Sequence, residues 1–238
     1  ISLWKRTKIN IIDFRKIDFI AKAILKINHL FPAADKYEIP LKNHTWPPQG
    51  ITLKGIIACK EIKFISLTEQ EQQKGDNILK SMGLSDKDQF ICFHNRDSSF
   101  LNKVYPARNW SYHDYRDSHI ENYIPAIEEL IRRGYIAIRV GHTTSKKLPI
   151  NNSKIIDYPN TSYRSDFMDI YLLSKSSFSI FSETGLNAVD WVFRKPCLFV
   201  NWVLLKSVFY WQKGIFIPKE IYSQSEKRFL GFKEIIDQ

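Results

Sequence analysis

The sequence predicts an α/β fold, a Rossmann-like parallel sheet with helices on both faces, over about residues 88–205. Short apolar runs such as Phe90–Phe93 lack the alternation of half-exposed strands, which is typical of strands buried on both faces of a parallel sheet. These runs alternate with segments in which apolar residues recur at helical spacing. Polar residues directly follow several of the runs, where the carboxyl ends of the strands would lie.

Residues 1–66 are predicted to be the remnant or tail of an N-terminal domain plus a linker, and residues 67–238 the Rossmann-like domain. Isoleucines recur at helical spacing over Ile17–Ile27 with lysines between them, which predicts a basic amphipathic helix. This helix would form the outer layer of a globular domain or make peripheral contact with an anionic membrane surface. The chain lacks an initiator Met and stops abruptly at Gln238, so we expect a piece of a longer protein.

The elements of the predicted domain follow from caps and periodicity. A capping box joins Thr68 and Glu71, and its helix should stop at Gly83. The central strand Phe90–Phe93 precedes a loop over Ser98–His119, whose length and aromatic content predict a lid or binding loop. The later predicted elements are a helix from Ile120 to Gly134, strands at Tyr135–Val140, Lys154–Tyr158, Phe178–Phe181 and Cys197–Val200, and helices opening at Ser165 and about Leu186.

Composition limits the class of protein and of partner. A chain of 238 residues with 44% hydrophobic content can bury a proper core. Its 35 basic and 25 acidic residues give a net charge of +10, which favours an anionic partner such as a phosphorylated ligand, nucleic acid or a membrane surface. Three scattered cysteines indicate neither a disulfide framework nor a zinc site. With no apolar run long enough to span a bilayer, we expect a cytoplasmic location, or one at the inner face of the membrane.

Polar residues at four predicted strand ends should converge on one edge of the sheet. The segment Ser182–Gly185 would form a strand-to-helix turn whose backbone N–H groups can bind an anion. Arginine side chains add guanidinium forks that match phosphate oxygens bidentately. The predicted phosphate-binding residues are therefore Arg96, Arg139, Gly141, Ser182, Glu183, Thr184 and Gly185.

Several familiar sites are absent from the sequence. It contains no Gly-rich P-loop with Lys-Ser/Thr and no Gly-x-Gly-x-x-Gly dinucleotide fingerprint. Ser182 lacks the Gly-x-Ser-x-Gly context of a hydrolase nucleophile. The histidines are too scattered to form a metal site. We therefore expect no cofactor and no metal requirement.

The combined motifs resemble a sequence-defined family of glycosyltransferases met in bacterial surface-polysaccharide gene clusters. The residues that carry the resemblance lie between about Thr68 and Lys219: Phe-His-Asn-Arg-Asp at 93–97, Tyr-His-Asp-Tyr-Arg at 112–116, Ile-Arg-Val-Gly at 138–141, Tyr-Arg-Ser-Asp-Phe at 163–167 and Ser-Glu-Thr-Gly-Leu at 182–186.

The resemblance implies the C-terminal half of a two-domain glycosyltransferase of the GT-B type, with a Rossmann-like domain that binds a nucleotide sugar. The His-x-Arg motif is similar to that of fucosyltransferases, in which the Arg holds the donor diphosphate, and this role would fall on Arg96. The Ser-Glu-Thr-Gly turn occupies the place where such enzymes hold donor phosphate or ribose. Glu183 stands where an Asp is common, and the usual first domain is mostly absent.

A transferase of this kind would move a sugar from a nucleotide-sugar donor to a glycan or lipid-linked acceptor. Arg96, Arg139 and the turn at Gly185 would stabilise charge on the departing diphosphate. An acceptor hydroxyl needs a base if the reaction inverts configuration, and both stereochemical outcomes remain open. The candidate catalytic residues are Asp97, Asp114 and His94, with His113 as a rival, and the predicted acceptor or lid residues are His113, Tyr115 and Arg116.

Two other functions compete with this prediction. One is a non-catalytic or truncated module that binds nucleotides or other anions. The other is a different transferase on the same fold, because a fold alone does not fix chemistry. Nucleic acid is not an expected partner, since the sequence contains no standard nucleic-acid-binding motif.

Overall fold

The computed structural model describes residues 65–203 and 214–236. The predicted N-terminal amphipathic helix and the proline-rich linker lie outside these residues. Membrane contact through that helix and the domain boundary near residue 66 therefore stay predictions.

Within the described residues, six strands form one parallel sheet and two more form a separate antiparallel hairpin. The sheet strands are β1 Phe90–His94, β2 Ile136–Arg139, β3 Ile155–Asp157, β4 Ser179–Phe181, β5 Cys197–Trp202 and β6 Gly214–Pro218, and the hairpin strands are β7 Tyr222–Ser223 and β8 Arg228–Phe229. The sheet order is β3-β2-β1-β4-β5-β6, and every neighbouring pair is parallel. This is the strand order of a doubly wound Rossmann fold, so the predicted fold class is confirmed.

Helices connect most of the sheet strands. In the described part of the chain the α-helices are α1 Glu69–Ser81, α2 Ser99–Val104, α3 Ile124–Arg132, α4 Asp166–Lys175, α5 Ala188–Phe193 and α6 Phe232–Ile236, and the 3₁₀ turns are Ser111–Arg116, Ile120–Tyr123, Tyr158–Asn160 and Gly185–Asn187. Over residues 65–203 and 214–236, no helix is long and apolar enough to cross a membrane.

Helices cover both faces of the sheet, and each face has its own apolar core. Ile91 and Phe93 of β1 pack with Ile127 of α3 on one face. Cys92 packs on the opposite face with Tyr171 of α4, because successive residues of a strand point to opposite sides. Side chains of α1 and α5 join this second core. Burial on both faces explains why the β1 run is apolar without alternation.

The helix caps predicted from the sequence are confirmed. At the start of α1 the Glu71 N–H donates to Thr68 Oγ1 at 3.3 Å, and the Thr68 N–H donates to the Glu71 carboxylate at 2.9 Å. The helix ends at Ser81, and Gly83 follows with a φ of +85°, a conformation that glycine adopts without steric cost. The second predicted cap is the Ser165 hydroxyl, which accepts from the first turn of α4.

Two parts of the predicted architecture were wrong. The loop expected over Ser98–His119 contains α2 and the 3₁₀ turn Ser111–Arg116. Helix α2 begins where the Asp97 carboxylate accepts from the Ser99 N–H at 3.0 Å, a local bond that apolar periodicity does not reveal. The predicted sheet also has five strands, whereas the sheet in the described residues has six. Strand β6 lies at the sheet edge, is mostly exposed and ends in Pro218, so its strand signal is weak.

The strand order changes direction between β1 and β4. From β1 the chain continues through β2 to β3 on one side, and from β4 through β5 to β6 on the other. The connections that follow β1 and β4 therefore lead away from each other and leave a crevice at the carboxyl ends of the two strands. In open α/β sheets, ligands bind at such a switch point.

Asp190 of α5 is fully buried near the amino ends of β4 and β5, with 0% exposure. The Ser179 hydroxyl of β4 donates to its carboxylate. Burial raises the pKa of Asp190 to about 7 and outweighs the hydrogen bonds from Ser179 and Cys197, which favour the charged form. The folded protein therefore holds this proton at a pH where the unfolded chain has lost it.

We expect the contribution of Asp190 to the free energy of unfolding to fall as the pH rises from about 4 to about 7. In that window the unfolded Asp190 is ionised and the folded one is protonated, so this contribution loses at most about 1.4 kcal/mol per pH unit. Burial lowers the pKa of His94 to about 4, so His94 contributes with the opposite sign over much of the same window. The comparison is therefore between variants: in urea unfolding at several pH values, Asp190→Asn should become more stable relative to the wild type as the pH rises, whereas Asp86→Asn, at an exposed carboxylate, should keep the wild-type pH dependence. Equal pH dependence for wild type and Asp190→Asn would contradict the assignment.

Candidate functional site

A cavity of about 450 Å³ occupies the crevice at the carboxyl ends of β1 and β4. Its walls come from the end of β1, from α2, from the loop after β2, from α4 and from the turn that leads into α5. The lining residues are His94, Arg96, Asp97, Phe100, Leu101, Arg116, Gly141, His142, Thr143, Asp169, Glu183, Thr184, Gly185, Leu186 and Val189.

His94 ends β1 and is fixed by the loop after β2. Its Nδ1 lies 2.8 Å from the carbonyl oxygen of Val140. Gly141 packs against the ring, since a Cβ there would lie 2.9 Å from Nδ1, and its φ of +134° also requires glycine. Burial lowers the pKa of His94 to about 4, and the charges of Arg139 and Arg96 act in the same direction. The imidazole is therefore neutral at pH 7 and too weakly basic for a general base.

Arg139 lies behind the cavity wall and not in it. The residue is 1% exposed. Its guanidinium donates to the carbonyl of Lys146 at 2.7 Å and to Asn95 Oδ1 at 3.1 Å, and it lies 3.5 Å from Asp157. These bonds join the loop after β2 to the ends of β1 and β3. This geometry favours a structural role over the predicted contact with phosphate.

Arg96 lines the cavity, and protein groups engage its backbone N–H and one guanidinium nitrogen, Nη1. Its backbone N–H donates to Ser182 Oγ at 2.6 Å, which connects the ends of β1 and β4. Its guanidinium pairs with Asp117 and donates to the carbonyl of His113 at 3.1 Å. Burial lowers the pKa of Arg96, as does the charge of Arg116. The side chain is a buried anchor for residues 113–117.

Lys219 holds the same segment from the other side. Its ammonium donates to the carbonyls of Tyr115 and Asp117, each at 2.9 Å. The Ser118 N–H donates to the carbonyl of Arg96 at 3.0 Å. The segment predicted to be a lid is therefore pinned to the end of β1 in this structure.

Arg116 extends from the pinned segment into the cavity. Its Nη2 donates to His113 Nδ1 at 2.7 Å, and its Nη1 lies 3.4 Å from Glu183. Its Nε has no hydrogen-bond partner among the described residues. Desolvation and the charges of Arg116 and Arg96 lower the pKa of His113. Arg116 and Arg96 are the two guanidinium groups in the cavity lining.

Asp97 fastens two walls of the cavity together. One carboxylate oxygen accepts from the backbone and hydroxyl of Ser99, and the other accepts from the Ser145 N–H at 3.1 Å and its hydroxyl at 2.9 Å. Burial alone would raise the pKa of Asp97, but these four hydrogen bonds lower it. A carboxylate with both oxygens occupied and a lowered pKa is a poor general base.

The turn after β4 forms the floor of the cavity. Ser182 is fully buried and accepts from Arg96, so its hydroxyl does not reach the cavity. Glu183, Thr184 and Gly185 line it. The 3₁₀ turn Gly185–Asn187 precedes α5, and no side chain caps it at Thr184. The predicted contact of the turn amides with an anion stays a prediction.

Asp169 is a cavity residue that the sequence did not reveal. It lies in the first turn of α4 and is 7% exposed. Arg164 donates to one of its oxygens at 2.9 Å, and the other has no partner among the described residues. Burial raises the pKa of Asp169 even though Arg164 opposes this. An acid in a first turn usually complements the helix dipole, so its position in the sequence does not distinguish Asp169 from an ordinary helix-start residue.

The structure thus brings together eight of the predicted site residues: His94, Arg96, Asp97, Arg116, Gly141, Glu183, Thr184 and Gly185. It places five outside the cavity lining: Arg139 and Ser182, which are buried, and His113, Asp114 and Tyr115, which lie on the pinned segment. Asp114 and Tyr115 are exposed. Across residues 65–203 and 214–236, no group of three His, Cys, Asp or Glu side chains could hold a metal ion.

No protein-family model matches this chain, and no curated protein matches it significantly. Among solved structures, the chain aligns with the ADP-heptose LPS heptosyltransferase II of Escherichia coli at 14% identity and a TM-score of 0.45, covering 67% of this chain and 46% of that one. It aligns with a family 9 glycosyl transferase of Veillonella parvula at 13% identity and a TM-score of 0.46, covering 73% and 51%.

A third alignment is with the iron-containing dodecameric glycosyltransferase TibC of enterotoxigenic E. coli, at 14% identity and a TM-score of 0.36, covering 59% of this chain and 34% of that one. The chain spans about half the length of the first two structures. Alignments this distant carry no argument about function, which must come from the site.

Asp97→Asn should lower the free energy of unfolding by about 0.5–1.5 kcal/mol. The amide nitrogen would replace one oxygen and face a donor of Ser99 or Ser145, so the half-buried Asp97 loses hydrogen bonds to half-buried or exposed groups. The exposed Asp114→Asn is the matched control and should change stability little. Urea unfolding of both variants measures the effect, and equal stabilities would refute the proposed fastening role of Asp97.

Proposed function

We propose that this chain carries the donor-binding half of a GT-B-type glycosyltransferase, which moves a sugar from a nucleotide sugar to a glycan or lipid-linked acceptor in surface-polysaccharide synthesis. The observation that carries the proposal is the guanidinium of Arg116. Together with Arg96 it lines a cavity at the sheet switch point, and its partners in the described chain include the His113 ring and, at 3.4 Å, Glu183. The motif resemblance supports the same conclusion.

The polar groups of the cavity define the class of ligand. Arg116 and Arg96 supply positive charge, whereas Glu183, Asp169 and the neutral imidazole of His94 supply hydrogen-bond acceptors. A simple phosphate could satisfy the guanidinium groups but has no hydroxyls for the acceptors. A nucleotide sugar carries both a diphosphate and several hydroxyls. It therefore complements the whole lining.

The proposed chemistry is cleavage of the bond between the anomeric carbon and the β-phosphate oxygen. The bonding electrons leave with the nucleoside diphosphate, whose β-phosphate gains negative charge. Arg116 would stabilise that charge with charge-assisted hydrogen bonds. Backbone amides of the turn at Gly185 are placed to add to it, and Arg96 acts by holding the segment that carries Arg116.

None of the three bases predicted from the sequence suits activation of the acceptor, and we propose that the other domain supplies the base. Asp97 has both oxygens occupied, Asp114 is exposed and outside the lining, and His94 is too weak a base. In a two-domain transferase, the acceptor side faces this edge from the other domain. Donor binding and acceptor activation are then divided between the two parts of the enzyme.

A second candidate is a module that binds a nucleotide without catalysis. The specific observation in its favour is that none of the predicted bases, Asp97, Asp114 and His94, suits acceptor activation. Both functions require the Arg116 contact with phosphate, so the first experiment addresses binding.

We expect one nucleotide among UDP, GDP, CMP, ADP and dTDP to raise the melting temperature of the chain. At about a hundred times its dissociation constant it should add about 2.7 kcal/mol of stability. Arg116→Gln should weaken that binding by roughly tenfold to a hundredfold, because a hydrogen bond to a charged group is lost. Thermal shift and calorimetry measure both effects.

The controls separate binding from folding. Arg132→Gln changes an exposed arginine on α3 and should leave affinity unchanged. Arg96→Ala should reduce both stability and affinity, because it removes the anchor of residues 113–117. If Arg116→Gln folds and binds the nucleotide like the wild type, the donor site proposed here does not exist.

A further inference from the structure

The two ring nitrogens of His94 lie in different surroundings. Nδ1 lies 2.8 Å from the carbonyl oxygen of Val140. A carbonyl oxygen can only accept, so Nδ1 must carry the proton of this bond. In a neutral imidazole the other nitrogen, Nε2, then has a free lone pair.

The Nε2 atom belongs to the cavity side of the ring. Gly141 covers the Nδ1 and Cε1 atoms, at 2.9 and 3.0 Å from the position of a Cβ on that glycine. Phe181 contacts the ring edge-on, with centroids 6.0 Å apart. Among the described residues, Nε2 has no hydrogen-bond partner, and His94 lines the cavity. A ligand in the cavity is thus the partner left for Nε2.

The charges around His94 keep the ring neutral. Arg139 on β2 and Arg96 beyond β1 disfavour a second proton, and Asp97 favours one. Burial is the largest influence and lowers the pKa of His94 to about 4. The ring therefore presents an acceptor over the physiological pH range and not a cation.

We propose that His94 Nε2 accepts a hydrogen bond from a hydroxyl or N–H group of the bound nucleotide. Phosphate oxygens are acceptors at neutral pH and cannot fill this place. The ligand is therefore oriented, with its diphosphate at Arg116 and a hydroxyl-bearing part, ribose or transferred sugar, at His94. The inference deepens the proposed function and rests on it.

Nitrogen-15 NMR of the imidazole groups tests the protonation state directly. A long-range proton–nitrogen correlation from about pH 5.5 to about pH 8 should show His94 as the neutral tautomer protonated at Nδ1. The His94→Asn spectrum assigns the signal. A proton on Nε2, in either the other tautomer or the imidazolium, would overturn the proposal. Addition of the best-binding nucleotide of the panel should shift the Nε2 resonance, and inorganic pyrophosphate should shift it much less.

Two substitutions separate the ring nitrogens. The amide of His94→Asn can still donate to the Val140 carbonyl but does not reach the Nε2 position, so the variant should fold and bind the nucleotide about threefold to tenfold more weakly. Its affinity for pyrophosphate should stay unchanged. His94→Gln places an amide oxygen near the Nε2 position and should recover part of the lost affinity.

The outcomes distinguish this inference from the proposed function. If the nucleotide binds and depends on Arg116 but neither shifts Nε2 nor responds to His94→Asn, the His94 contact is wrong and the donor site stands. If the Asn variant loses nucleotide and pyrophosphate affinity equally, His94 supports the phosphate end and the orientation is wrong. If no nucleotide of the panel binds, both proposals fail.

Discussion

The geometry of the candidate site depends on the burial of Arg96 with its partners. Its backbone N–H bonds to Ser182 and joins the ends of the two strands that flank the switch point. Its guanidinium pairs with Asp117 and the His113 carbonyl. A buried cation is costly without such partners, so the segment that supplies them must stay folded over it. That segment also carries Arg116. The buried Arg96 thereby positions Arg116 at the cavity.

Most of the fold could be predicted because its signals are local. An apolar run without alternation identifies a strand buried on both faces, and the hydroxyls of Thr68 and Ser165 mark helix starts by bonds within three residues. Strand β6 was missed because an exposed edge strand lacks the apolar signal. The helix α2 was missed because a hydrogen bond from the Ser99 N–H to the Asp97 side chain marks its start. No periodic pattern of apolar residues marks it.

The sequence predicted where the candidate site lies in the fold, but it predicted the roles of the individual residues less well. The carboxyl ends of parallel strands meet at one edge, which brings His94, Arg96 and the Glu183 turn together. Which of these groups remain available depends on partners distant in sequence. Asp117 occupies Arg96, Ser145 occupies Asp97, and Asn95 occupies Arg139. The spacing of residues along the sequence does not predict these pairings, because they form only when the loops after β1 and β2 pack together.

The contact between Glu183 and Arg116 explains how a charged cavity can remain ready for an anion. At 3.4 Å it is longer than a normal hydrogen bond, so it holds the guanidinium weakly. An aspartate at this position would be one methylene shorter and would leave Arg116 still less restrained. A diphosphate offers the guanidinium shorter, bidentate bonds than this carboxylate does. In the function proposed above, an entering phosphate would compete against this internal partner for an arginine that is already in place.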